Sequence, residues 1–499
     1  MSSIRGNLIA NYVGQGWSAL ASVAFIPFYI KYLGVESYGL IGFFTIVLAA
    51  VALCDGGMTP TLNREMARFS AGSVPVEVAG NLLRSMEVCF LVVLAFMVVV
   101  GLCASSWFAT HWVGLNGLPH VQVVDAIFLM MQVSSLRLFE GLYRSALLGL
   151  QKHVWLNIAV AILATFRSGG AVLALMLDPT ITTFFIWQLL SSVLSIVLLS
   201  GGAYSQLRQG VPVRFHFSRA ALSGVRRFAS GVFASALLGV ALTQLDKVLL
   251  SRLLSLEVFA YYTLAATVSN ALYQLIAPIA QSFYPRFTEY VARDDSMSLA
   301  YSYHQAAQFL SFAVGPAALM MIFFSRPILL LWTKNIALAD NTAVLLSVLA
   351  TGTLLHGLQH MPYMLQLANG WSGFAAKVNV VAVILLVPAI LWVVPRHGAV
   401  GAAAIWVVLN LGYLVFSIQL MHRRLLPREK WRWYLQDVAL PLGSAAAVAW
   451  LLRGWHVDPT QRGLLLLQVA VVTLALYATA GVTTSQIRTR LLSRLKALI

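Results

Sequence analysis

Apolar runs long enough to cross a lipid bilayer follow one another along the whole of this 499-residue chain. A helical crossing takes about 20 residues. Runs of that order lie near 8–30, 38–56, 81–104, 122–148, 154–177, 180–200, 227–250, 258–282, 304–330, 341–368, 374–394, 398–421, 435–452 and 463–482. In hydrocarbon every backbone N–H and C=O must find a partner inside the protein, so the runs are predicted to be helices. The composition leaves no soluble alternative. Hydrophobic residues make up 60% of the chain and charged residues 10%, against about 25% charged in an average soluble protein. Such a chain can fill a core but cannot clothe it in a polar skin. The 35 glycines and 16 prolines fall partly inside the runs, where neighbouring helices can re-satisfy the freed backbone groups. The predicted class is an all-α polytopic membrane protein with about fourteen transmembrane helices.

The start of the chain is read as the first span and not as a cleaved signal. Arg5 precedes a run, Leu8–Ile30, that is longer than a signal core and is interrupted by Asn11 and Gln15. The formal net charge is +16. In a soluble protein that would raise the question of nucleic acid. Here the basic residues crowd into short connections between runs, with Arg208, Arg214, Arg219, Arg226 and Arg227 in one and Arg423, Arg424, Arg428, Lys430 and Arg432 in another. That is the signature of cytoplasmic loops, and no nucleic-acid partner is expected. The intervening connections are poor in Lys and Arg, so both termini are predicted to be cytoplasmic. The longest outer connection, about Ser105 to Val121, holds no Lys or Arg, and no soluble domain is expected. Cys54, Cys89 and Cys103 lie in or beside apolar runs without a CxxC or Cys/His cluster, so neither a metal site nor a disulfide framework is expected.

Two regions repeat. LGVESYGLI (33–41) and LSLEVFAYY (254–262) align Leu33 with Leu254, Glu36 with Glu257 and Tyr38 with Phe259. TPTLNREMAR (59–68) aligns with YPRFTEYVAR (284–293), and Asn157 with Asn379. The near-constant offset predicts that six spans recur as the next six, in the same orientation. The expected layout is an N-lobe over 1–200, a basic cytoplasmic linker over 201–226, a C-lobe over 227–422 and two additional spans over 423–499. Two pseudo-symmetric six-helix lobes around a V-shaped central cavity are a transporter arrangement. The linker and the residues just after it contain VRFHFSRAALSGVRRF, which suits an amphipathic interfacial helix on anionic lipid.

An ionisable group inside a bilayer costs about 2.5–3.5 kcal/mol on the translocon scale and normally faces a partner or a water-filled cavity. In the fourth run, SSLRLFEGLYRSALLGLQK, steps of three, four and seven put Ser134, Arg137, Glu140, Arg144 and Gln151 on one helix face. They form either an Arg–Glu–Arg ladder holding helices together or a cationic wall on a cavity. In the seventh run, TQLDKVLLSRL, Asp246 and Lys247 share one side with Thr243, Gln244 and Ser251. Asp55, Arg64, Arg167, Arg286 and Lys377 are further candidates. His356 and His360, four residues apart, could bind a metal or a proton, but without a third ligand in sight a packing role is expected. Glu87 and Asp125 are expected at the membrane interface. The balance is cationic, which suits an anionic substrate, and arginine forks fit diphosphate and carboxylate oxygens.

LCDGGMTPTLNREMAR (53–68), YRSALLGLQKHVWLN (143–157) and TQLDKVLLSRLLSLEVFAYYTLA (243–265) resemble the Wzx-type O-antigen flippases. Those are polysaccharide transporters of the multidrug/oligosaccharidyl-lipid/polysaccharide (MOP) exporter superfamily. The resemblance covers the chain to about residue 420. It departs from the family at Ala260, where a glycine often precedes the Tyr-Tyr pair, although Gly39 keeps that residue in the first repeat. The resemblance implies a non-enzymatic flippase of the bacterial inner membrane. It would carry an undecaprenyl-diphosphate-linked glycan between leaflets, with no cofactor and with H+ or Na+ as coupling ion. A polysaccharide polymerase and a chain-length regulator would be its partners. By position, Arg64, Arg137, Arg144, Lys247, Arg286 and Lys377 are expected to contact the anion, and Asp55, Glu140 and Asp246 to couple or to tune the basic groups.

Three rivals follow. A drug or cation exporter of the same superfamily would need an acid-rich interior, and a lipid II flippase is the nearer alternative. A membrane glycosyltransferase such as an O-antigen polymerase needs a long outer loop. The predicted orientation has a direct test in a variant whose three cysteines are replaced by serine. A cysteine at Ser223→Cys should react with a membrane-impermeant maleimide only after permeabilisation, and one at Asp458→Cys in intact cells. The opposite pattern would invert the topology.

Overall fold

The computed structural model describes residues 16–488, apart from 18–19, 22, 113–117, 209–213 and 487. The expected run 8–30 therefore begins outside the described residues. The rest is helical, as the backbone constraint requires. In the first part of the chain the helices are α1 (Ile26–Ala52), α2 (Met58–Ser70), α3 (Val76–His111), α4 (His120–Gly149), α5 (His153–Leu177), α6 (Ile181–Arg208) and α7 (Arg219–Leu253). The chain continues through α8 (Leu256–Asn270), α9 (Leu272–Ala292), α10 (Ser296–Phe323), α11 (Ser325–Thr333), α12 (Ile336–Leu358) and α13 (His360–Ala368). It ends in α14 (Ser372–Gly412), α15 (Ile418–Leu425), α16 (Lys430–Leu452) and α17 (Arg462–Thr483). Ten described helical stretches are long and apolar enough to cross a membrane. Two of these contain a break, at Gly34 (φ 82°, ψ 171°) in α1 and at Gly398 (φ 57°, ψ −148°) in α14. Both breaks fall where one expected span gives way to the next, and both use a backbone conformation open to glycine.

The chain divides into two compact units, Met1–Ala260 and Tyr261–Ile499. This division follows packing, whereas the internal repeat follows sequence, so α7 belongs with the first unit here although the repeat begins with it. The first core gathers Leu62, Met66, Leu83, Met86, Leu142, Ala146, Leu147, Leu199 and Ala203. The second gathers Leu272, Phe287, Tyr303, Ala306, Leu310, Leu354, Met361 and Trp433. Large apolar side chains also cover the outside, among them Val92, Phe96, Val99 and Leu102 on α3. In a bilayer that face needs no cover, and helix association rests on close packing instead.

Four close contacts shape the first unit. Gly56 and Gly57 both take left-handed φ, 57° and 78°, and turn the chain from α1 into α2. A Cβ at Gly57 would stand 2.3 Å from the carbonyl oxygen of Ala229 on α7. A Cβ at Gly149 would stand 2.4 Å from the carbonyl oxygen of Asn63, so the end of α4 lies directly on α2. At the other end of α7, Trp112 Nε1 donates to Ser251 Oγ at 3.1 Å. Gly39 packs on Leu256, whose carbonyl oxygen would be 2.4 Å from an added Cβ.

In the second unit Asp295 caps α10. Its Oδ1 accepts from the Ser298 amide at 3.0 Å, and that bond holds the carboxyl below its usual range. The two helices beyond the repeat, α16 and α17, pack on α10 through Leu319, Met320, Ala445, Ala449, Val472 and Leu476. Tyr477 hydroxyl donates to the Ala313 carbonyl at 2.9 Å.

Gly57 has a matched control in Gly72, which has φ 76° and no neighbour within 4 Å of an added Cβ. Gly72→Ala should cost only the left-handed strain, about 1–2 kcal/mol. Gly57→Ala should cost that and a further ~1–3 kcal/mol of overpacking against α7. Thermal unfolding in nanodiscs reads the difference, and equal losses would mean that the contact with Ala229 carries no weight.

Candidate functional site

The polar face of α4 meets α5 and α6. Glu140 is buried and pairs with Arg167 of α5, with Oε2 to Nη2 at 2.5 Å. The same Nη2 donates to Ser195 Oγ of α6 at 3.2 Å. Arg137, one turn from Glu140, donates from Nη2 to Gln188 Oε1 at 3.0 Å and lies 5.0 Å over the Phe44 ring. Among the described residues no carboxylate comes within ion-pair distance of Arg137. The Nε atoms of both Arg137 and Arg167 are buried without a hydrogen-bond partner. The cluster thus holds two guanidinium groups and one carboxylate, and one cation is left over. The predicted ladder is real in part, but its second arginine is Arg167 and not Arg144, which is exposed.

The facing stripe on α6 was legible and not singled out. Gln188, Ser191, Ser192 and Ser195 recur at helical spacing and all are buried. Glu87 is buried within the protein: its Oε1 accepts from the hydroxyls of Tyr143 and Tyr204, each at 2.7 Å, and its Oε2 from Arg84 at 2.8 Å. Asp125 is exposed.

The remaining predicted residues are dispersed. Asp55 sits in the turn into α2, where its carboxylate accepts from the Thr59 amide at 3.0 Å and from the Thr59 hydroxyl. That arrangement caps a helix. Arg64 is half exposed and lies 3.8 Å from Glu65. Asp246 and Lys247 are half-buried on α7. Gln244 Oε1, one turn away, is buried without a partner. Arg286 is exposed and lies 5.7 Å over the Phe283 ring. Lys377 is exposed.

His356 Nδ1 bonds the Tyr273 hydroxyl at 2.9 Å, and His360 Nδ1 meets the His356 carbonyl at 3.3 Å. Their rings stand 5.1 Å apart. Among the described residues no group of three His, Cys, Asp or Glu is placed to hold a metal. A second buried polar set, absent from the sequence expectations, lies around His304 in the second unit, with Asp437 and Glu429. Its signal was the presence of ionisable residues inside or beside the apolar runs 304–330 and 435–452.

A guanidinium without a counter-carboxylate, backed by an amide and an aromatic face, presents unused donors to an oxyanion.

Comparisons place this geometry among known proteins. A family model described as "Polysaccharide biosynthesis protein" matches residues 4–291. A Shigella flexneri protein described as "Putative O-antigen transporter" is 21% identical over 409 residues, covering 81% of this chain and 94% of that protein. Among solved structures, a lipid II flippase MurJ in an inward closed conformation superposes with TM-score 0.69 at 11% identity, over 94% of this chain and 97% of that one. An inward-facing multidrug resistance MATE family transporter of the MOP superfamily superposes with TM-score 0.65 at 16% identity, over 83% of this chain and 96% of that one. The structural likenesses show a shared fold.

Glu140→Gln should strand Arg167 as a buried charge and cost about 3–5 kcal/mol. Arg137→Gln removes a cation that has no carboxylate partner and should change stability by less than ~1 kcal/mol. Thermal unfolding of the two variants, measured side by side, checks this. A loss of similar size in both would show that Arg137 is as structural as the pair.

Proposed function

We propose a function for this chain from the premise that it belongs to the polysaccharide biosynthesis protein family, whose model spans more than half of it. The chain is a flippase. It moves an undecaprenyl-diphosphate-linked oligosaccharide, an O-antigen or similar repeat unit, from the cytoplasmic to the periplasmic leaflet of the bacterial inner membrane. Transport runs by alternating access, driven by a proton or cation gradient.

The observation that carries this reading is Arg137, a guanidinium inside a helical bundle with no carboxylate partner among the described residues. A buried cation of that kind is costly unless a ligand completes it. A diphosphate supplies the missing charge and accepts from a guanidinium in two-pronged fashion. Arg167 reinforces the field while Glu140 limits it, so a polyanion is held without being trapped. Lys247 and Asp246 on α7 are assigned to the same path on the strength of their half-buried positions and the family motif around them. Arg64, Arg144, Arg286 and Lys377 are assigned to collecting the anionic substrate at the surface, and Asp55 to holding the turn into α2. A lipid II flippase is the second reading. The high TM-score with such a flippase favours it, and the substrate shares the same lipid diphosphate chemistry.

The test is complementation. The chain, expressed at matched membrane levels in a bacterium lacking its O-antigen flippase, should restore surface polysaccharide. Arg137→Ala should lower the yield about tenfold or more, the cost of one charge-assisted hydrogen bond of about 1.5–3 kcal/mol. Arg144→Ala should leave at least half of it. Rescue of a strain depleted of its lipid II flippase, without rescue of O-antigen, would replace the first reading with the second. Full activity of Arg137→Ala would remove the arginine cluster from the path.

A further inference from the structure

The set around His304 lies where α16 joins the second unit. His304 is buried on α10, and each of its ring nitrogens faces a carboxylate. Nδ1 meets Asp437 Oδ2, and Nε2 meets Glu429 Oε2 at 2.8 Å. Asp437 is fully buried, and its other oxygen accepts from Gln308 Nε2 at 2.8 Å. Glu429 is 26% exposed, with Arg432 at 3.7 Å. The other titratable and charged neighbours are Tyr303 on α10, His422 on α15, and Lys430 and Tyr434 on α16. His422 Nε2 meets the Tyr303 hydroxyl at 3.3 Å, and its ring lies 6.4 Å from that of Tyr434. Gln308 Oε1 also accepts from Ser485 and Gln486 beyond α17, each at 3.1 Å. The set therefore ties the start of α16 and the end of α17 to α10.

A neutral imidazole has one N–H and one lone pair. With both carboxylates ionised, it can donate to only one of them, and its lone pair would then face an oxygen lone pair on the other. Both contacts are satisfied together only when the set carries one proton more. We infer that His304, Asp437 and Glu429 form a proton-binding site, and that its proton fastens the two helices beyond the repeat to α10. The sign follows from the geometry. The proton-bound set is the closed form. Raising the pH removes the proton to water, and the contact that fails is the one to Glu429, whose carboxylate can reach solvent while that of Asp437 cannot. This site is independent of the arginine cluster and of the substrate assigned to it.

Hydrogen exchange of residues 428–438 in nanodiscs tests the inference, with protection corrected for intrinsic exchange, between about pH 5 and about pH 9 on either side of the usual imidazole range. An opening that releases one proton becomes about tenfold more favourable per pH unit. Protection in the native chain should therefore fall by up to about tenfold per unit over part of that range. Glu429→Gln supplies an amide that can donate to the ring lone pair, so its profile should be flat. Flat protection in the native chain would overturn the inference, and so would an unchanged slope in Glu429→Gln. The native profile decides the matter even if a variant fails to fold, and neither result depends on transport.

Discussion

Backbone groups cannot be left unpaired in hydrocarbon, and the rest of this structure follows from that constraint. It explains why the chain is helix after helix, and where the helices are allowed to fail. At the turn between α1 and α2 the Asp55 carboxylate takes over a free amide of Thr59. Where the helix widens over Tyr413–Ser417, the Leu414 carbonyl accepts from the Tyr434 hydroxyl at 2.5 Å. The Asn410 carbonyl just before it accepts from Gln359 at 3.1 Å. At each irregularity a side chain meets a backbone group, from nearby at Asp55 and from a distant helix at Leu414 and Asn410.

The same medium sets the terms for charge. Most ionisable groups inside the bundles have been given partners: Glu87 by two tyrosines and Arg84, Arg167 by Glu140, His304 by two carboxylates. Against that background the position of Arg137 has meaning. Glu140 is placed between two arginines and engages only one of them. The buried cluster of the first unit keeps a positive excess, whereas the buried cluster around His304 in the second unit is built from two carboxylates and one imidazole. The ligands proposed for the two sets differ accordingly, an oxyanion for one and a proton for the other.

Much of this was legible beforehand. Run length and the scarcity of charge specify a polytopic helical protein with no other input. Steps of three and four brought Arg137 and Glu140 to one face, and the structure keeps them there. The motif LCDGGMTPTLNREMAR, quoted for its family resemblance, covers the Gly56–Gly57 turn and the part of α2 on which α4 sits. The same rules failed on partners. Arg144 satisfies the spacing as well as Arg137 does, yet it is exposed and Arg167, from another helix, takes the place beside Glu140. Nothing along the sequence pairs Glu87 with Tyr143 and Tyr204, which come from two other helices and close over it.

Sequence by itself determined the medium, the helical class and the face shared by Arg137 and Glu140. All of these depend on composition or on periodicity along one helix. Tertiary structure alone decided which charges are neutralised. Arg167 reaches Glu140 across 27 positions, and Asp437 reaches His304 across 133. No local pattern encodes such pairings. They exist because separate helices, each obliged to bury its own polar groups, could do so only against one another.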